Sequence, residues 1–229
     1  MKKNILFTMF LALMALAMTS CDDKESEGLS RITYYPSVEI LGSPKVVINI
    51  GETYNDEGCY AELNGEDVSN QVIVSSNIDN QHIGIYSINY AAYNEDGFSA
   101  VASRTVYVVN PNSVATIYYG NVQGYYGAPI FVTDNGDGTY HIDDLLGGWY
   151  FYGIYPGYEP TYDFHAEADI VIAEDNTVTQ VGETGDWYFA SSAPVSLANG
   201  TYNPDTKTFN LNVDYRGSNL PVTLNAISK

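Results

Sequence analysis

From Ser37 onward the chain alternates apolar and polar positions over short runs and turns at short intervals. Ser37–Leu41 reads as a strand, and Gly42-Ser43-Pro44 breaks it. Lys45–Ile50 reads as another, with Val46, Ile48 and Ile50 on one face. Val72–Val74, Ile83–Tyr90 and Thr105–Val109 follow, and Asn94-Glu95-Asp96-Gly97 marks a tight turn. Beyond Asn110-Pro111-Asn112-Ser113, the candidate strands are Val114–Tyr119, Pro129–Thr133, Thr139–Asp143, Trp149–Tyr155, Tyr162–Ala173, Val178–Val181, Trp187–Ala190, Thr206–Tyr215 and Val222–Ile227. Turn signals separate them at 134–138, 174–177, Asn199-Gly200, 203–205 and 216–219. No helical period of useful length appears. The expected fold is all-β: a sandwich over 34–110, then a second antiparallel sandwich or flattened barrel over 112–229.

The first twenty residues differ. Lys2 and Lys3 precede an apolar run, Ile5–Met18, too short for a membrane span, and Met-Thr-Ser-Cys follows. This reads as a secretory signal over 1–20, and the tetrapeptide resembles a bacterial lipobox. That resemblance implies cleavage before Cys21 and acylation of its thiol and new amino terminus, an anchor to a membrane through lipid. Several acyl chains, at about 0.8 kcal/mol per buried CH₂, hold a protein without a spanning helix. The alternative is a secreted protein cut near Ser20 with Cys21 incidental. Residues 21–33 begin Cys-Asp-Asp-Lys-Glu-Ser-Glu-Gly and read as an acidic flexible tether. Acids directly after the cysteine resemble the surface-export signal of Bacteroides-type lipoproteins, which implies an outer membrane and its outer face.

Several classes drop out on composition. The formal charge is −19, with nine Lys plus Arg against 28 Asp plus Glu, so nucleic acid is not an expected partner. With Cys21 acylated, Cys59 is left alone, and its strand-like surroundings predict a small buried residue rather than a nucleophile. His82, His141 and His165 are too scattered to imply a zinc site, and no cofactor motif occurs. Asp134-Asn135-Gly136-Asp137-Gly138 reads as a hairpin turn rather than a calcium loop. Catalysis has no motif behind it. Asp143, Asp144, Asp163, Glu167 and Asp169 include spacings a glycosidase pair could use, but so many acids produce such coincidences.

Four segments carry a resemblance: Gly51-Glu52-Thr53-Tyr54-Asn55-Asp56-Glu57-Gly58; Gly84-Ile85-Tyr86-Ser87-Ile88-Asn89-Tyr90; Ala91-Ala92-Tyr93-Asn94-Glu95-Asp96-Gly97; and Arg104-Thr105-Val106-Tyr107-Val108. Together they resemble a bacterial immunoglobulin-like repeat over 37–110, a module that implies spacing or presentation rather than chemistry. Gly138–Asp144 and Tyr202–Phe209 resemble the C-terminal β domain of Bacteroides-type surface lipoproteins, many of which accompany glycan-uptake systems. The resemblance implies polysaccharide or oligosaccharide and outer-membrane transporter proteins as partners.

Tyrosine is the excess residue, at 21. The run Gly147–Pro160, GGWYFYGIYPGYEP, concentrates the rings. Read as a strand, it turns Trp149 and Phe151 inward and Tyr150 and Tyr152 outward, with Tyr155 and Tyr158 on either side of a Pro-Gly turn. Tyr150, Tyr152, Tyr155 and Tyr158, with Trp187 and Tyr188, are the ligand candidates, because aromatic faces stack on sugar rings. The expected function is a non-catalytic surface lipoprotein that captures or presents glycan. A structural or adhesive protein without a small ligand is the alternative, and a glycoside hydrolase stands last.

Overall fold

A computed structural model describes residues 32–158, 161–185 and 187–229. The signal, Cys21 and most of the tether lie outside the described residues. The architecture is all-β. The first unit holds β1 (Ser37–Ile40), β2 (Lys45–Asn49), β3 (Cys59–Leu63), β4 (Glu66–Asp67), β5 (Ile73–Ser76), β6 (Gly84–Tyr93) and β7 (Ser99–Val109). Two sheets face each other, β1-β3-β4 and β2-β7-β6-β5, with β2 parallel to β7. Ile48, Ile88, Tyr90, Val106 and Val108 form the core between them.

The motif residues of this unit meet at one point. Arg104 is fully buried. Its Nη1 donates to the Tyr54 hydroxyl at 2.6 Å, and its Nη2 donates to the carbonyls of Leu41 at 2.5 Å and Gly58 at 3.1 Å. Its Nε lies 3.3 Å from the Asp56 carboxylate, whose oxygens accept from the Tyr90 hydroxyl at 2.7 and 2.8 Å. A buried guanidinium needs this many acceptors, because leaving it unpaired carries a large desolvation penalty. Cys59 is half-buried beside the same core rather than sealed in it. Burial, then the Asp56 charge, pushes its thiol pKa up.

The second unit holds β8 (Thr116–Val122), β9 (Tyr125–Asp134), β10 (Tyr140–Ile142), β11 (Ala168–Ile172), β12 (Thr177–Val181), β13 (Val195–Asn203), β14 (Thr208–Tyr215) and β15 (Ser218–Ala226). Each strand pairs antiparallel with the next, and β15 closes on β8. The result is an eight-stranded up-and-down barrel, one of the two forms the sequence left open. Side chains including Tyr118, Ile130, Ile142, Ile170, Phe209, Leu211 and Leu224 fill it, as expected for a barrel of this size.

Strand order sorts the connections. The β8–β9 turn, the long β10–β11 connection (143–167), the β12–β13 connection (182–194) and the β14–β15 turn all lie at one end. The other end faces the first unit. There Val47, Tyr107 and Ile85 form one rung across β2, β7 and β6. They pack with Ile117, Phe131, Tyr119 and Ile227 of the barrel. Asn110 N donates to Thr116 Oγ1 at 3.0 Å, and Lys229 pairs with Glu52. The end of β7 is therefore buried on both faces.

Four expectations change. Trp149–Tyr155 is not a strand: Trp149–Ile154 is a π-helical turn, in which Tyr155 N donates to Tyr150 O at 2.9 Å. Gly148 opens it with φ 77°, in the region where only glycine is comfortable. Trp187–Ala190 is not a strand either, but a pair of tight turns closed by Ala190 N to Trp187 O and Ser192 N to Phe189 O, both 2.9 Å. Asn199-Gly200 is no turn; it lies inside β13 beside a bulge. Gly200 is needed because a Cβ there would stand 2.7 Å from Leu211 Cδ2 inside the barrel. The strand expected over Tyr162–Ala173 shortens to β11. The 134–138 turn is as expected, with Asp134 and Asp137 each accepting from a backbone N–H two residues on, at Gly136 and Thr139.

Candidate ligand site at the free end of the barrel

The long β10–β11 connection is held from within. Asp144 is completely buried. Its carboxylate accepts from the backbone N–H groups of Leu146 at 2.9 Å, Gly148 at 2.7 Å and Ala166 at 3.1 Å. This ties both ends of the connection together and seats Leu145 and Leu146 in the barrel core. Burial pushes the Asp144 carboxyl up, and the three backbone donors pull against it. Next to it, Asp143 accepts from Phe131 N at 2.9 Å. Burial pushes the Asp143 pKa up to about 7, with a smaller contribution from the Asp144 charge.

From that base the rings stack outward. Tyr150 is the hub, with Trp149, Tyr155, Trp187, Phe189 and Tyr215 at centroid distances of 5.1 to 5.9 Å. Its hydroxyl bonds that of Tyr215, and burial pushes its pKa up to about 12. Phe151 is buried and stacks on His165 at 4.0 Å. Tyr155 stacks on Phe164 at 4.9 Å, and Phe164 lies nearly parallel to Phe189 at 5.7 Å.

The outer layer is a groove. It has a volume of about 520 Å³ and is lined by Thr161, Tyr162, Asp163, Thr184, Gly185, Trp187, Tyr188 and Ala190, in the size range of ligand sites. Tyr162 and Tyr188 meet at 5.4 Å and 74°, forming an aromatic corner, and both are exposed. Trp187 belongs to the lining but is only 4% exposed, and its indole N–H donates to Ala193 O at 2.6 Å. Asp163 sits at the edge. Its Oδ1 accepts from His165 N at 2.9 Å and bonds His165 Nδ1 at 2.7 Å.

The candidate rings thus divide. Tyr188 is at the groove, and Tyr158 is exposed beside it, 6.2 Å from Tyr162. Tyr150 and Tyr155 belong to the packed layer, Tyr152 is half-buried against Phe151, and Trp187 is floor rather than platform. Sequence reading missed Tyr162 as a site residue by running a strand through it, and weighed Asp163 only as a hydrolytic acid; the Pro156-Gly157 and Pro160 breaks were the available signal for an irregular stretch.

The acids weighed for hydrolysis are employed elsewhere. Asp144 holds the loop, Asp169 pairs with His141 at 2.9 Å, Glu167 lies 4.0 Å from the same imidazole, and Asp163 is pinned to His165. Among the described residues no three of His, Cys, Asp or Glu converge as a metal site requires.

Comparisons with known proteins cover most of the chain. A family model for a bacterial surface protein Ig-like domain matches residues 38–108, and a C-terminal domain family model matches residues 76–226. The second match begins within the first and so takes in β6 and β7, two of the three strands that pack against the barrel. The crystal structure of the lipoprotein BT2262 from Bacteroides thetaiotaomicron aligns at 30% identity and TM-score 0.55, over 83% of this chain and all of that one. A Clostridium perfringens ZmpB structure (CBM51-2 with GlcNAc, and INT domains) aligns at 13% identity and TM-score 0.28, over 83% of this chain and 43% of that one, too loosely to carry an argument. No curated protein matches the chain.

Proposed function

This chain belongs to the family of the lipoprotein BT2262, and from that premise we propose that it is a lipid-anchored surface protein that captures glycan in the groove at the free end of its barrel. It does so without chemistry of its own. The observation that carries the reading is the corner of Tyr162 and Tyr188, backed by Trp187 and edged by Asp163. Two exposed rings at a fixed angle offer one face for stacking on the apolar side of a sugar, and the carboxylate offers an acceptor for its hydroxyls. The packed layer behind them holds the corner in place before any ligand arrives, which lowers the entropy cost of binding.

Chain order supports presentation. The anchor at Cys21 comes first, then the immunoglobulin-like unit, then the barrel, whose groove-bearing connections lie at the end away from that unit. We assign the protein to the outer face of the outer membrane, where it hands polymer to outer-membrane transporter proteins. The test is glycan-array binding by the full chain, with Tyr162→Ala and Tyr188→Ala as variants and a melting curve for each. Binding lost in variants that melt like the parent supports the reading. If no glycan binds, the surface is structural or adhesive, the alternative that stands next. For the anchor, Cys21→Ser should release the protein from membranes or leave it unprocessed; unchanged detergent partitioning removes the lipid from the account.

A further inference from the structure

The polar groups of the groove narrow the ligand, given that reading of the groove as a glycan site. Asp163 is the one charged residue of the lining among the described residues. Its Oδ1 is committed to His165, and its Oδ2 accepts from no donor among the described residues. The phenol hydroxyls of Tyr162 and Tyr188 also have no protein partner there. Thr184 Oγ1 is already spent, donating to Val195 O at 2.5 Å and accepting from Gln180 Nε2 at 3.2 Å. Glu167 adds a second acid close by: Gly185 N donates to its carbonyl at 2.8 Å, and its carboxylate lies 3.5 Å from where a Gly185 Cβ would stand.

Among the described residues no lysine or arginine answers these acids. The described part of the barrel has three, Lys207, Arg216 and Lys229. Lys207 lies at the far end, Lys229 pairs with Glu52, and Arg216 acts on Tyr150 from the β14–β15 turn; none lines the groove. An uncharged sugar brings hydroxyl donors to a free carboxylate oxygen and two phenols. A uronate or sulfated sugar brings an anion that must lose water beside Asp163 with no lysine or arginine among the described lining residues to pair it. We infer that the groove takes uncharged, hydroxyl-rich glycan and rejects polyuronates and sulfated chains, with Asp163 as the residue that sets the preference.

The experiment is affinity electrophoresis of the full chain in detergent against mannan, xylan, galactan and β-glucan, and against polygalacturonate and chondroitin sulfate. About 0.5 M salt shortens the Debye length to about 4 Å, so the overall charge of −19 does not decide the result. At least one neutral polymer should retard the protein and neither anionic one should. Asp163→Asn keeps the acceptor for His165 N but removes the charge. It should weaken the neutral complex at least about fivefold at unchanged melting temperature. Glu174→Gln, the same change of charge at the β11–β12 turn of the other end, should not. Anionic polymers held as tightly as neutral ones, and lost with Tyr162→Ala, overturn the inference and leave the glycan reading standing. So does an Asp163→Asn variant that binds like the parent. Binding to none of the six fails the glycan reading itself, and the inference falls with it.

Discussion

The hydroxyls of Tyr150 and Tyr215 meet in a hydrogen bond that joins the π-helical turn to the last hairpin of the barrel. The contact separates rings that hold the fold from rings that face solvent. Tyr150 touches five other rings, whereas Tyr162 and Tyr188 are exposed. Tyr150→Ala should cost about 2–4 kcal/mol and Tyr150→Phe about 1 kcal/mol, the second figure being the hydroxyl pair alone. Tyr158→Ala, Tyr162→Ala and Tyr188→Ala should each stay below about 1 kcal/mol in urea melts. Equal losses at Tyr150 and Tyr188 would make the whole aromatic end one core.

Asp143 gives the barrel a pH dependence of known sign. Its carboxyl is raised from 3.8 to about 7, with burial the largest cause, Asp144 adding to it, and Phe131 N, His165 and His141 opposing. Between about pH 4 and pH 7 the folded protein holds a proton there that the unfolded chain has lost. This group's contribution to stability is therefore intact below about pH 4 and falls as pH rises to about 7. Asp143→Asn keeps the acceptor for Phe131 N and cannot ionise. Plotted against pH, the stability of the variant minus that of the parent should climb by up to about 4 kcal/mol across that window. A flat difference would mean that water reaches the carboxylate.

Much of the first unit was legible, and the reason is local. Tyr54, Asp56, Gly58, Tyr90 and Arg104 all lie in the segments that carry the immunoglobulin-like resemblance, and they converge on one buried network. The continuous run Val106–Val109 also has its cause, since alternate residues face the sandwich core and the barrel. The aromatic run defeated strand reading because rings on every side of a segment carry no period. There the packing of Tyr150 against Tyr215 and Trp187, elements far away in sequence, selects a helical turn. Asp144 looked like one acid among many until its three backbone donors were in place. Tyr162 was passed over, and Asp163 was weighed only for hydrolysis, because only the turn geometry brings them to Tyr188.

The Arg104 network predicts asymmetric losses. Arg104→Met removes the cation and leaves Asp56 and two carbonyls without it, and should cost about 3–5 kcal/mol. Asp56→Asn keeps an acceptor for the Tyr90 hydroxyl and should cost about 1–3 kcal/mol. Because both touch one network, the double variant should fall short of the sum by about 1 kcal/mol or more. Strict additivity in a double-mutant cycle would show that the 3.3 Å approach of Nε to Asp56 contributes nothing to stability.

Gly148 links the buried anchor to the groove, and it can be tested by a substitution and its relief. The residue has φ 77°, and a Cβ on it would stand 2.1 Å from the Ala128 Cβ. Gly148→Ala therefore meets two penalties, a left-handed backbone worth about 1 kcal/mol and a clash within a close-packed barrel worth about 1–3 kcal/mol. Its N–H still reaches Asp144, so the anchor survives, but the π-helical turn that follows must shift. Ala128→Gly opens the space without altering the backbone demand. Adding it to Gly148→Ala should recover the clash and leave the left-handed penalty. The corner of Tyr162 and Tyr188 packs on Phe164, Tyr188 also packs on Phe189, and Phe189 packs in turn on Tyr150 of this turn, so glycan binding should fall in the single variant and return in large part in the double. If the double variant recovers no stability, strain at the backbone alone governs the position. If stability returns and binding does not, the turn and the groove are independent.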